Sequence, residues 1–251
     1  MQKKTIGILG GMGPEATLYC FAKIIQNTPA RRDQEHLRVV IYSNPEVPDR
    51  TSAIIENGES PVPMIVEGCR ILTRAGVDFI IIPCISSHYF LNEIEKQVDV
   101  QILSIFDAFT EHIANRHSSL KAVGLLSTTG TIRGGYFKKH LSKIGIRTIV
   151  PDDKGQASVM DCIYDIKNSQ RGRSRKEITD SLVAAANTLI LNGAQGIIAG
   201  CTEIPLALTQ NELPILYLEP LTILARSAVR YAGMEPVNDP ISNFEWPFLS
   251  N

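Results

Sequence analysis

Short runs of apolar, mostly β-branched residues recur along the chain, separated by longer stretches in which apolar positions return every three or four residues. The runs TIGIL (5–9), RVVIY (38–42), DFIII (78–82), KAVGLL (121–126), IRTIV (146–150), QGIIA (195–199) and PILYL (214–218) predict strands. They are continuous rather than alternating, the pattern of strands buried on both faces of a parallel sheet. The stretches between them predict helices, as in βαβ units. One helix starts at Pro14, just after a glycine loop, and runs to about Asn27; another runs from about Pro63 to Ala75 and stops at Gly76, where glycine takes a left-handed cap at little cost. The polar stretch NSQRGRSRKE (168–177) lies between two helical patterns and reads as a solvated connection, while GMEPVNDPISNFEWPFLSN after Tyr231 has no period and predicts a tail packed on the surface or on a neighbouring subunit.

One spacing relates two halves of this pattern. Gly7 matches Gly124 and Cys84 matches Cys201, both at an offset of 117, and the same offset aligns Leu9 with Leu126, Gly13 with Gly130 and Gly76 with Gly193. A duplicated α/β unit of roughly 110 residues per copy accounts for this. Two such lobes packed about a pseudo-twofold axis would bring the two cysteines to facing strand tips across one cleft. The expected boundaries are 1–105 with 212–251 for the first lobe and 106–211 for the second.

Charge narrows the function classes. The 251 residues carry a net charge of −1, with lysine and arginine dispersed, so there is no broad basic footprint for nucleic acid. No apolar run approaches the ~20 residues of a membrane span, and the N-terminal strand and glycines leave no room for a secretory leader; the expectation is a cytoplasmic protein. The five cysteines, Cys20, Cys69, Cys84, Cys162 and Cys201, are odd in number and scattered, which predicts reduced thiols.

The repeat-related cysteines carry the clearest chemical signal. Each ends a predicted strand and precedes helix-start residues: Ser86 and Ser87 after Cys84, Thr202, Glu203 and Pro205 after Cys201. Such a thiol meets backbone N–H groups and the positive end of a helix, which favour thiolate from a free pKa of ~8.5. Cys20, Cys69 and Cys162 fall on helical patterns and read as small buried hydrophobes. Cys84 and His88 have a metal-like spacing, but the second copy offers Pro205 where a ligand would be needed; His88 reads equally as a locally bonded helix residue or as a neighbour of the site. The loop GGMGP (10–14) lacks the dinucleotide fingerprint spacing and an acidic residue at the end of the second strand, so a glycine turn approaching a small anion is expected. The hydroxyls of STTGT (127–131) suit a carboxylate, as does the fork of Arg50 in NPEVPDRT.

Taken together, TIGILGGMGPEAT, RRDQEH, NPEVPDRT, GVDFIIIPC, LLSTTGTI and IIAGCTEI, in this order over residues 3 to 232, resemble the aspartate/glutamate racemase superfamily, and within it the archaeal-type aspartate racemases. The resemblance implies an α/β fold of two pseudo-symmetric lobes, each a parallel sheet flanked by helices, with the active site in the cleft between them. It also implies a homodimer and a cofactor-independent racemase acting on a small acidic amino acid, aspartate or glutamate, with Cys84 and Cys201 as acid and base. By the same resemblance Arg50 would hold a side-chain carboxylate; Ser86, Ser87, Thr128, Thr129 and Thr202 would line the α-carboxylate and amino end; and Lys167 would match a family lysine. One position departs from the pattern: Ile85 stands where the family has asparagine after the cysteine. It offers no side-chain donor, which predicts weak activity on aspartate or glutamate and a gain of about tenfold in Ile85→Asn. An isomerase of another dicarboxylic acid and an acidic-metabolite binding protein remain alternatives.

Overall fold

The computed structural model describes residues 3–168 and 173–237. Among the described residues, eight strands form two four-stranded parallel sheets with the same order. The first contains β1 (Ile6–Gly10), β2 (Val39–Ser43), β3 (Phe79–Ile81) and β4 (Gln101–Ile102) in the order β2-β1-β3-β4; the second contains β5 (Ala122–Leu126), β6 (Arg147–Ile149), β7 (Gly196–Ala199) and β8 (Leu216–Leu218) in the order β6-β5-β7-β8. Each expected strand is present within a residue or two of its predicted ends. Only β4 has no sequence counterpart, being two residues long with one of them exposed.

The central strands serve two cores at once. Ile6, Ile8, Phe79 and Ile81 of the first sheet, with Val123, Leu125 and Ile198 of the second, face one core shared by both lobes. Their neighbours Leu9, Ile80 and Ile82 face an outer core with α3 (Val62–Arg74), and Ala122, Leu126, Ile197 and Ala199 face another with α8 (Asp153–Lys167) and α9 (Arg175–Leu191). Alternate side chains point to opposite faces of a strand, and both faces are covered, so the runs read as unbroken apolar segments. The repeated glycines fit this layering, because a Cβ on Gly124 would lie 2.9 Å from Leu189 of α9 and 2.8 Å from Ile197.

The shared core is closed by helices exchanged between the lobes. α5 (Ile105–Arg116) follows β4 of the first sheet but packs on α7 (Tyr136–Ser142), which belongs with the second. Conversely, α10 (Pro220–Tyr231) follows β8 of the second sheet and packs on α1 (Pro14–Asn27) of the first, as well as on α5. β8 pairs with β7, so residues 216–218 lie in the second sheet. We propose a division in which residues up to 105 together with α10 form the first lobe and residues 106–218 the second.

Local signals set the helix ends. Pro14 opens α1 and Gly76, at φ 81°, ends the turn after α3; the side chains of Asp152 and Ser174 accept backbone N–H bonds at the starts of α8 and α9. The polar stretch 168–177 divides between the connection and the first turn of α9, with residues 169–172 outside the described ones. The predicted tail lies outside them from residue 238 onward. Among the described residues no helix is long and apolar enough to cross a membrane.

Candidate active site

The two cysteines lie just beyond the carboxyl ends of β3 and β7, where ligands of parallel sheets bind, and line one narrow cavity. The open space between its walls is ≈ 10 Å³, about that of a single water molecule. The same lining includes Arg50, Ile85, Ser86, Thr128, Lys167 and Thr202. Ser87 and Thr129 do not join it: the Ser87 hydroxyl donates to Met12 Sδ at 3.3 Å, and Thr129 Oγ1 accepts from Gln156 Nε2 at 3.2 Å, toward α8. Thr131 lines the cavity instead, because Thr128 caps α6 (Thr129–Gly134) and the helical phase turns Thr131 inward beside it. Met12, Asp49, Thr51, Gly200 and Glu203 complete the lining and were not expected from the motifs.

Backbone packing explains why these segments converge. A Cβ on Gly200 would come within 2.4 Å of Leu125 and 2.8 Å of Ser127, so only glycine lets the Cys201 turn lie against β5; the Ser127 hydroxyl donates to the Gly200 carbonyl and ties the two together. Gly130 lies against Thr51, where a Cβ would sit 2.9 Å from the Thr51 Cα, and this close approach seats α6 on α2 (Arg50–Ile55) across the cleft. In the glycine loop after β1, backbone packing itself calls for two of the glycines. Gly11, at φ 95°, abuts the backbone of Asn44, and a Cβ on Gly10 would collide with Thr17.

Arg50 is buried, not a surface residue. Its Nη1 donates to the carbonyls of Val47 and Pro48 at 3.0 and 2.9 Å and its Nη2 to that of Met12 at 3.2 Å. Nε has no hydrogen-bond partner among the described residues. Nε lies on the fork edge shared with Nη2, the geometry that grips a carboxylate with two bonds, and the Cys84 sulfur lies close to the same guanidinium. Lys167, at the end of α8, lies 117 positions after Arg50, the spacing that relates the cysteines, so the repeat supplies a cation from each lobe.

The cysteines differ in their electrostatics. For Cys84 burial favours the thiol, but the charges of Arg50 and Lys167 and the nearby Ser87 and Ser86 hydroxyls outweigh it, and its pKa falls below the ordinary value; Ser86 Oγ is 3.6 Å from the sulfur. Cys201 goes the other way. Burial and the adjacent Glu203 charge push it well above the ordinary value, against the pull of Lys167, and its thiol donates to Glu203 Oε2 at 2.9 Å. The helix-end argument favoured thiolate at either strand end, and the surrounding charges pull the two thiols in opposite directions. The helix-end argument also fails locally: Cys84 leads into a 3-10 turn (Ser86–Phe90) entered at Ile85 with no side-chain cap, and then into the short α4 (Leu91–Glu95).

Ile85 and His88 occupy the inner side of this turn. Ile85 lines the cavity while packing into the shared core, 2% exposed. An asparagine there would bury an amide among apolar groups, so Ile85→Asn is expected to lower stability by about 1–3 kcal/mol, read as a drop in melting temperature, in place of a clean tenfold gain in rate. His88 Nδ1 contacts the Cys84 carbonyl at 3.0 Å, and burial lowers its pKa to about 4. Its ring faces a larger open groove among α4, α5, α7 and α10, away from the cysteines. Among the described residues no three His, Cys, Asp or Glu side chains are grouped to hold a metal ion. All five cysteines are free and buried.

Comparison with known proteins accords with this architecture. Residues 9–228 match the family described as Asp/Glu/Hydantoin racemase. The chain is 30% identical over 230 residues to the broad specificity amino-acid racemase RacX of Bacillus subtilis (strain 168), covering 89% of this chain and 96% of that protein. Among solved structures it resembles an aspartate racemase from Picrophilus torridus, with TM-score 0.82 and 31% identity over 93% of this chain and 96% of that one. An aspartate racemase homologue from Pyrococcus horikoshii OT3 superposes with TM-score 0.70 and 26% identity, covering 91% and 99% of the two chains. With duplicated parallel sheets and two cysteines closing on one small cavity, the chain belongs to the Asp/Glu/hydantoin racemase family.

Proposed function

We propose that the protein interconverts the L and D forms of an acidic amino acid, aspartate or glutamate, by proton transfer between Cys84, Cys201 and the α-carbon, by a route that needs no cofactor. The observation that carries this reading is the pairing of opposite protonation tendencies in one cavity: Cys84 is drawn toward thiolate and Cys201 held as thiol. A thiolate on one face removes the α-proton and the thiol on the other face supplies one, with roles exchanged in the reverse direction. The Nε–Nη2 edge of Arg50 receives a carboxylate, and the Thr128 hydroxyl and Lys167 stand at the wall where negative charge grows as the carbanion forms.

Broader substrate use is a second reading, favoured by the apolar Ile85 wall and by the named breadth of the Bacillus relative. Homodimerisation and a cytoplasmic location belong to the same proposal; exposed apolar Leu18 and Ile25 on α1 and Ile41 on β2 support the former. The test is a panel of L-amino acids incubated with the protein and resolved by chiral chromatography. Formation of D-aspartate or D-glutamate ahead of other D-amino acids supports the acidic assignment. Inversion of neutral or basic amino acids at equal rates moves the protein to the broad reading, and release of every L-amino acid unchanged leaves a binding protein.

A further inference from the structure

Two buried polar atoms on the cavity-lining residues lack a hydrogen-bond partner among the described residues, Arg50 Nε and Glu203 Oε1. The first is the carboxylate fork. The second has the opposite sign and calls for a cation. Glu203 is 3% exposed, and its other oxygen, Oε2, is already engaged by the Cys201 thiol at 2.9 Å and the Thr202 hydroxyl at 3.3 Å. Lys167 Nζ stays 3.8 Å from Oε1, near enough to offset charge but beyond hydrogen-bond reach. Asp49, the other carboxylate of the lining, is exposed and committed to capping α2, where it accepts from the Ser52 N–H at 2.7 Å. Gly13 lies beside Oε1: a Cβ there would sit 3.4 Å from that oxygen.

We propose that Glu203 anchors the ammonium group of an α-amino acid through Oε1 while Oε2 holds the Cys201 thiol proton, so that the amine is both what the site selects and what releases that proton. This rests on the racemase reading above. A buried carboxylate oxygen with no hydrogen bond is costly, and an ammonium donor removes that cost, whereas a substrate with hydrogen in place of the amine does not. In turnover the Cα–H bond breaks with its proton going to the Cys84 sulfur and its electron pair staying on carbon, delocalised into the α-carboxylate. On the opposite face the Cys201 S–H bond breaks as a new C–H bond forms, and its electron pair remains on sulfur. The resulting thiolate is repelled by a bare Glu203 carboxylate and tolerated beside one paired with ammonium. The charged groups facing Cys201 from the surrounding elements are Glu203 on its own turn, Lys167 at the end of α8, Arg50 and Asp49 at the start of α2, and Cys84 across the cleft. Of these, Glu203 alone bonds the thiol.

The experiment is calorimetric titration of the full-length protein with L-aspartate against succinate and with L-glutamate against glutarate, pairs that differ only by the amine. The wild-type protein should prefer the amino member of at least one pair by about tenfold or more, the range of a hydrogen bond to a charged group. Glu203→Gln should bring that ratio near unity. In the same variant the alkaline limb of the racemisation profile should move to lower pH, because Cys201 ionises earlier without the neighbouring charge; a purely structural role would lower the rate without moving the limb. Absence of preference in both pairs for the wild-type protein overturns the proposal without any variant, and so does a folded Glu203→Gln that keeps the wild-type ratio. Binding is read without turnover. A protein that prefers the amines through Glu203 but inverts no α-carbon therefore retires the racemase reading and keeps the anchor, while one that racemises without the preference does the reverse.

Discussion

Cys84→Ala and Cys201→Ala should each lower racemisation by about 10²–10⁴-fold, the contribution of a positioned acid or base, and they should fail in different ways. Cys201→Ala keeps the thiolate that Arg50, the Ser87 and Ser86 hydroxyls and Lys167 favour at Cys84, so in D2O it should still exchange the α-hydrogen of one enantiomer without inverting it. Cys84→Ala leaves a thiol that burial and Glu203 hold protonated, and both exchange and inversion should disappear near neutral pH. Wild-type protein should place deuterium in the product before the substrate pool. The measurement is α-proton loss by NMR for each enantiomer alongside chiral chromatography; equal exchange by the two variants would mean that the thiols are equivalent. Cys20→Ala, Cys69→Ala and Cys162→Ala should stay within a few-fold of wild type, since burial pushes all three thiols up, Cys69 to about 12.

Arg50 should show two separable effects, one of shape and one of charge. Arg50→Lys keeps a cation but loses the Nε–Nη2 edge and the bonds to Val47, Pro48 and Met12, so kcat/KM on acidic substrates should fall by about 1.5–3 kcal/mol, the range for charged hydrogen bonds. Its acid limb should stay near the wild-type position. Arg50→Gln removes the charge as well. Burial raises the Cys84 pKa and the Arg50 charge is the leading group that brings it down; activity requires the thiolate and is lost as pH falls through that pKa. Without the cation the Cys84 pKa rises and the acid limb moves to higher pH, adding a loss at neutral pH to the loss of grip. Rate profiles from about pH 5 to 10, with melting curves to verify folding, check both parts. An Arg50→Lys enzyme with unchanged kinetics on aspartate and glutamate would remove Arg50 from substrate binding and leave it as a strut for the Val47–Pro48 loop.

Much of the architecture could be read from the chain because its determinants are local or repeated. Unbroken apolar runs marked the strands, Pro14 and Gly76 marked helix ends, and the 117-residue spacing carried Gly7 onto Gly124 and Cys84 onto Cys201. The same spacing relates Arg50 to Lys167, a link that only gains meaning once both cations are seen to line one cavity. Glu203 stands in the GCTEI segment, but sequence says nothing of which carboxylate oxygen will meet a thiol.

What only the tertiary structure decided are relations between distant segments. The exchange of α5 and α10 between lobes, and the pairing of β8 with β7, depend on which faces meet in the shared core. Thr131 replaces Thr129 at the cavity because helical phase, not nearness in sequence, decides which hydroxyl turns inward. Ile85 is core as well as wall because the 3-10 turn points it at both. The opposite electrostatic pulls on the two cysteines are the furthest from the sequence. Arg50 approaches Cys84 and lowers its pKa, while burial and the touching Glu203 raise that of Cys201. A pKa is set by burial and charge at a few ångströms in three dimensions, and neither distance is written in the order of the residues.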